Sequence, residues 1–256
     1  MKTIKRIIIV LLAIVAMAVP QVEARTYALL AGISNYGGED QGDNTTNTND
    51  VKALRKILGT QTKDITMLTS RYANADNIIE KLRAITHRAQ EGDRIIFFFT
   101  GHGFPGGMLC YQSNLYYSRL VQELSDTRAS EVFVFVDACF SGSAGNDVSD
   151  SSNWLEGLKP QKGHVYMLSS RGDESSWGGG WLNKSLFTQA LITGMRGKAD
   201  TDHNRGITVM ELFKHIHKDV YRRSDGEQHP VMIAPRSMHD VELIRYSADS
   251  TDYFDI

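Results

Sequence analysis

The chain has 256 residues, with 28 lysines and arginines against 30 aspartates and glutamates and a formal net charge of −2. Hydrophobic residues make up 41%, enough for a full core, and the charge balance carries no basic excess of the kind that nucleic acid or an anionic membrane surface calls for.

Lys2, Lys5 and Arg6 precede an unbroken apolar run from Ile7 to Val19, and Pro20 followed by Val22-Glu23-Ala24 gives a small-residue cleavage site. This is the pattern of a secretory signal peptide over 1–24. The run is shorter than the roughly 20 residues that span a bilayer, and no cysteine lies near the cleavage site to carry a lipid. The expectation is an exported protein, periplasmic or extracellular, that begins near Arg25 and has no membrane anchor after signal removal. Losing Lys2, Lys5, Arg6 and Glu23 leaves 25 basic against 29 acidic residues, a charge of −4. The remaining 25–256 are read as one domain.

Strands then alternate with helices. Tyr27 to Ile33 reads as a strand. Asn49 or Asp50 caps a helix with Val51, Leu54, Ile57 and Leu58 on one face, stopped by Gly59. Ile65 to Leu68 is a second strand, and Asn74 or Asp76 caps a helix carrying Ile78, Ile79, Leu82 and Ile85. Two continuous apolar runs follow, Arg94 to Thr100 and Val132 to Asp137, with a helix from Ser118 to Leu124 between them. Runs of this kind read as parallel strands buried on both faces. A strand at Val165 to Leu168 and helices near Leu186 to Ile192 and Val209 to Val220 complete an α/β fold with a mostly parallel central sheet and helices on both faces.

The first buried run leads into Gly101-His102-Gly103 and the second into Ala138-Cys139-Phe140-Ser141-Gly142. An imidazole and a thiol at the carboxyl ends of neighbouring strands face the crevice where open α/β sheets bind ligands. A cysteine peptidase needs that pairing, because the thiolate attacks and the histidine protonates the leaving amine. A disulfide between Cys110 and Cys139 would consume the nucleophile, so Cys110 is read as a buried small hydrophobe.

Four segments in order, Ala28 to Tyr36, Asn49-Asp50-Val51, Thr100-Gly101-His102-Gly103 and Asp137-Ala138-Cys139-Phe140-Ser141-Gly142, together resemble the caspase-like peptidases, closest to the bacterial metacaspase and paracaspase branch. The resemblance implies a caspase-hemoglobinase fold and endopeptidase activity. By position it makes His102 the base and Cys139 the nucleophile, with backbone amides of Cys139 and Gly103 as oxyanion donors. It also implies that Asp137 and Asp173 line a pocket for a basic substrate side chain, giving cleavage after Arg or Lys of a protein or peptide. Arg171 carries the alternative of an Asp-specific pocket, and a catalytically silent binding or calcium-responsive scaffold is the non-enzymatic one. Self-cleavage is expected in the loop from Ser143 to Gly163, at Lys162-Gly163 rather than Lys159-Pro160.

Asp200, Asp202 and Asn204, with Glu211 at the twelfth position, have the spacing of a calcium loop, except that Arg205 stands where the sharp turn wants glycine. Calcium is the one ion the sequence suggests, and the chemistry requires no cofactor. An α/β-hydrolase reading through Ser143 fails because Ser141 replaces the first glycine of the nucleophile elbow.

Overall fold

The computed structural model describes residues 24–37, 45–138, 161–170 and 185–253. Strand β1 (Thr26–Gly32), helix α1 (Thr45–Leu58), β2 (Asp64–Thr69), α2 (Ala75–Arg88) and β3 (Arg94–Thr100) come first. Three short strands follow, β4 (Gly103–Phe104), β5 (Gly107–Cys110) and β6 (Ser113–Tyr116), then α3 (Tyr117–Ser125), β7 (Glu131–Asp137) and β8 (His164–Leu168). The rest is α4 (Leu186–Thr193), β9 (Gly206–Thr208), α5 (Val209–Arg223), β10 (Val231–Ile233) and β11 (Glu242–Arg245).

The main sheet runs in the order β10-β8-β7-β3-β1-β2. All its neighbours are parallel except β10, which lies antiparallel on β8. Alternation within the buried runs sends successive side chains to opposite faces, so each strand feeds two cores. Leu29, Phe97 and Val134 pack with Ile78 and Leu82 of α2 and Leu120 of α3. Leu30, Phe98 and Phe135 pack with Leu54 of α1, Leu191 of α4 and Leu212 and Ile216 of α5. The expected α/β architecture with helices on both faces is therefore the observed one.

One local expectation changes, and one of two alternatives is selected. Helix α1 starts at Thr45, so Asn49 and Asp50 lie inside it. Its first turn is held instead by Asn47, whose Nδ2 donates to the Ile33 carbonyl at 2.7 Å, and by the Thr48 N–H, which donates to Ser34 Oγ at 3.0 Å. Gly32 permits this close approach, since a Cβ there would stand 2.7 Å from the Asn47 carbonyl oxygen. At α2 the cap is Asn74, whose Oδ1 accepts from the Asn77 N–H at 2.8 Å.

Candidate active site

Parallel pairing brings the strand ends level. Gly32 is opposite Thr69 and Thr100, and Thr100 is opposite Asp137. The residues that leave β1, β3 and β7 therefore share one edge, beside the point where the strand order reverses between β1 and β3.

His102 projects exposed from this edge. Its ring stacks on Tyr36 at 5.0 Å between centroids, and its backbone N–H donates to the Tyr36 hydroxyl at 2.6 Å. Tyr36 is itself only 3% exposed, so the histidine rests on a fixed aromatic floor. The sequence gives Tyr36 no role of its own, only a place at the end of the Ala28 to Tyr36 segment. Gly101 does not adopt the left-handed conformation. It is needed for space, because a Cβ would lie 2.9 Å from the Tyr36 hydroxyl. The Gly101 N–H donates to the Asp137 carbonyl at 3.1 Å, tying the histidine turn to the end of β7.

Gly103 opens β4 opposite Met108. The Leu109 N–H donates to the His102 carbonyl at 2.9 Å, which makes Gly103 and Met108 a non-hydrogen-bonded pair of that ladder. The ladder thus makes no use of the Gly103 N–H, the amide expected to face an oxyanion.

Ala138, immediately before Cys139, is buried and held on both sides by one hydroxyl. Its N–H donates to Ser169 Oγ at 3.2 Å, and the same hydroxyl donates to the Ala138 carbonyl at 3.0 Å. The Ser169 carbonyl accepts from Gln228 Nε2 at 2.6 Å. Cys139, Arg171, Asp173 and residues 1–23, nearly all of the expected signal peptide, lie outside the described residues.

Asp137 is 3% exposed. Its Oδ2 accepts from the Thr188 N–H at 3.2 Å and from the Thr188 hydroxyl, so the carboxylate caps the first turn of α4 from outside the helix. Ser185 faces the same carboxylate without reaching full hydrogen-bond geometry. Burial pushes the Asp137 carboxyl above the ordinary range, and the nearby Ser185 hydroxyl and the hydrogen bonds from Thr188 offset only part of that rise. Thr188 and Ser185 carried no functional signal in the sequence.

Cys110 is 3% exposed, and burial pushes its thiol up to about 12, as a core thiol requires.

The Asp200 loop lies apart from this edge. Carboxylate oxygens of Asp200, Asp202 and Glu211 lie within 4.8 Å of one another. Arg205 takes a φ of +64°, so the turn does need the left-handed conformation for which glycine is preferred. Asn204 Oδ1 accepts from the Gly206 N–H at 2.6 Å and is turned to its own backbone. Glu211 doubles as the capping box of α5 with Thr208. Burial raises the Asp200 carboxyl, yet hydrogen bonds from Tyr253 and from the Arg205 and Asn204 amides outweigh it and hold the group below the ordinary range. Three carboxylates thus fit a hard cation, with Asn204 outside the donor set in this conformation.

The bond between Lys162 and Gly163 sits in a turn at the amino end of β8, the opposite edge of the sheet from His102. Gly163 is buried there at a φ of +83°, and its carbonyl accepts from the Val132 N–H at 2.8 Å. In the folded chain this bond, at which self-cleavage is expected, therefore lies at the edge away from its own His102.

No helix among the described residues is long and apolar enough to cross a membrane. Among curated proteins nothing matches the chain. Solved structures do: a protein from Geobacter sulfurreducens aligns with a TM-score of 0.63 at 15% identity, covering 86% of this chain and 98% of its own. Caspase-1 from Spodoptera frugiperda aligns with a TM-score of 0.62 at 15% identity, covering 83% of this chain and 89% of its own. At these identities the likeness is one of fold. The family model described as "Caspase domain" matches residues 25–240. The chain therefore belongs to the caspase domain family, whose members are cysteine-type peptidases acting on protein substrates.

Proposed function

We propose that this protein is an exported cysteine endopeptidase of the metacaspase and paracaspase branch that cleaves after Arg in preference to Lys. The observation that carries the reading is the hydrogen bond from Gly101 N–H to the Asp137 carbonyl, which ties the His102 turn to the strand that leads into Cys139. Cys139 attacks the scissile carbonyl as thiolate, and His102 takes its proton and returns it to the leaving amine. The tetrahedral oxyanion is met by the N–H groups of Gly103 and Cys139. Asp137 receives the basic side chain, with Asp173 as its second carboxylate. A buried carboxylate with a raised pKa is costly to ionise alone, and a guanidinium offsets that cost with paired, charge-assisted hydrogen bonds.

The test uses the purified mature chain on matched fluorogenic peptides ending in Arg, Lys, Asp or Asn. Hydrolysis ranks Arg first and Lys second, and both Cys139→Ala and His102→Ala abolish it. A preference for Asp would move the pocket to Arg171; labelling by a cysteine-directed electrophile with no hydrolysis of any peptide would favour the silent scaffold. At neutral pH the electrophile labels Cys139 alone, because Cys110 is buried with its thiol at about 12. We further propose that the Asp200 loop takes calcium through Asp200, Asp202 and Glu211. Its affinity is weak because Asn204 is turned inward.

A further inference from the structure

Beyond the ends of β1 and β2 lies a hollow of about 340 Å³ lined by Asn35, Thr69, Ser70, Arg71, Tyr72 and Tyr111. We propose that it is a subsite for an acidic side chain on the leaving fragment of the peptide. The inference rests on the reading of His102 and Cys139 as base and nucleophile.

Direction comes first. The histidine that protonates the leaving amine stands at the start of the leaving fragment, while the acyl side chain goes to Asp137. The strands carrying these groups lie in the order β7, β3, β1, β2, and they end level. A peptide laid from Asp137 past His102 therefore continues over β1 toward β2. Neighbouring strands are about 4.8 Å apart and an extended peptide advances about 3.4 Å per residue, so the hollow is reached by the second or third residue after the cleaved bond.

The walls are held rigidly. Asn35 adjoins Tyr36, the floor beneath His102, and its Oδ1 accepts from the Gly37 N–H at 2.9 Å. Gly37, at a φ of +78°, lets Tyr111 close in; a Cβ there would lie 2.9 Å from the phenol ring. The Tyr111 N–H donates to the Ala73 carbonyl at 3.1 Å. Ser70 takes a φ of +47°, a conformation uncommon outside glycine, which turns the chain so that Arg71 lines the hollow.

The chemistry is that of donors. Arg71 is the one cation; its guanidinium lies 4.9 Å from the centre of the Tyr72 ring, and its Nη2 donates to the Tyr72 hydroxyl at 2.8 Å. Thr69 and Ser70 add hydroxyls, Tyr111 a second phenol and Asn35 an amide, and no carboxylate is among the lining residues. A glutamate or aspartate side chain satisfies such a set, with Arg71 giving the charge-assisted bonds.

The experiment uses the full mature chain and quenched peptides with Arg at the cleaved bond that differ only in Glu, Gln or Lys at the second and third following residues. The expected wild-type preference for Glu over Gln in kcat/KM is about tenfold, as for one charge-assisted contact, and it shrinks as ionic strength rises. In Arg71→Glu the order inverts, with Lys peptides cleaved best, a gain that misfolding would not produce. Equal rates on Glu and Gln peptides in the wild type, or an unchanged order in Arg71→Glu, would overturn the subsite. An arginyl arylamide, which has no residues after the cleaved bond, separates the two claims: if it is not hydrolysed either, the peptidase reading itself falls.

Discussion

The Ser169 hydroxyl brackets the peptide of Ala138, accepting from its N–H at 3.2 Å and donating to its carbonyl at 3.0 Å. Ser169 is fully buried, and its own carbonyl is anchored by Gln228. The residue before the proposed nucleophile is therefore fixed from the neighbouring strand end. Ser169→Ala is expected to leave two buried backbone groups without this partner, costing about 1–3 kcal/mol of stability. It should also lower kcat several-fold with KM little changed, and slow electrophile labelling of Cys139. Steady-state kinetics beside a thermal melt checks this; a fall in stability with kcat intact would make Ser169 structural only.

Asp137 serves both helix α4 and the proposed pocket, and two substitutions separate those duties. Asp137→Ala removes cap and charge, and its cost on arginine peptides is expected to be about 3–5 kcal/mol in transition-state terms, with α4 weakened as well. Asp137→Asn keeps an acceptor for Thr188 and should fold normally while losing the preference for Arg.

The same residue sets a pH dependence. Its folded pKa is raised by burial, so the native state holds the proton more readily than the unfolded chain does. Its stabilising contribution is complete below the unfolded value and is lost as pH rises through the folded one. Asp137→Asn is therefore expected to be at least as stable as the wild type at pH 7 and to gain nothing at acid pH, which denaturant titrations at the two pH values would measure.

His164 works in the opposite sense. Burial lowers its pKa to about 4, so it is neutral in the fold where the unfolded chain is protonated. As pH falls from about 6.5 toward 4 the unfolded state takes up a proton that the native state refuses, and roughly 2–3 kcal/mol of stability is lost by linkage. His164→Gln should flatten that part of the stability profile; an unchanged slope would assign acid sensitivity to other groups.

Calcium binding to the Asp200 loop should raise the unfolding temperature by mass action once the ion exceeds its dissociation constant. The expected shift appears at millimolar calcium and disappears in Asp202→Ala. A chain whose melting is indifferent to calcium would leave the loop as the capping turn of α5.

The parts of this protein that could be read from sequence are those whose determinants lie within one element. The Arg94 to Thr100 and Val132 to Asp137 runs announce buried strands, and Gly101 before His102 marks a backbone crowded by its neighbours. Asn74 could be named as a cap because the donor it satisfies is three residues away. What escaped depends on pairing across the chain. Two- to four-residue strands such as β4, β9 and β10 are too short for a period-two pattern and exist because a partner strand holds them. The start of α1 was misplaced because Asn47 and Thr48 bond to the end of β1. Tyr36 and Ser169 act through residues 66 and 31 positions away, where no local pattern links them.

The in-phase pairing of β3 with β7 makes side-chain chemistry a reporter of sheet assembly. If β7 slipped by one residue against β3, Asp137 would turn from the α4 side of the sheet to the α2 side, and the hydrogen bond between Gly101 and the Asp137 carbonyl would be lost. A misassembled molecule would then be compact and rich in secondary structure but without the proposed arginine pocket. If the proposed specificity holds, the fraction of refolded protein that turns over an arginyl substrate counts correctly registered sheets, a quantity to which circular dichroism is blind.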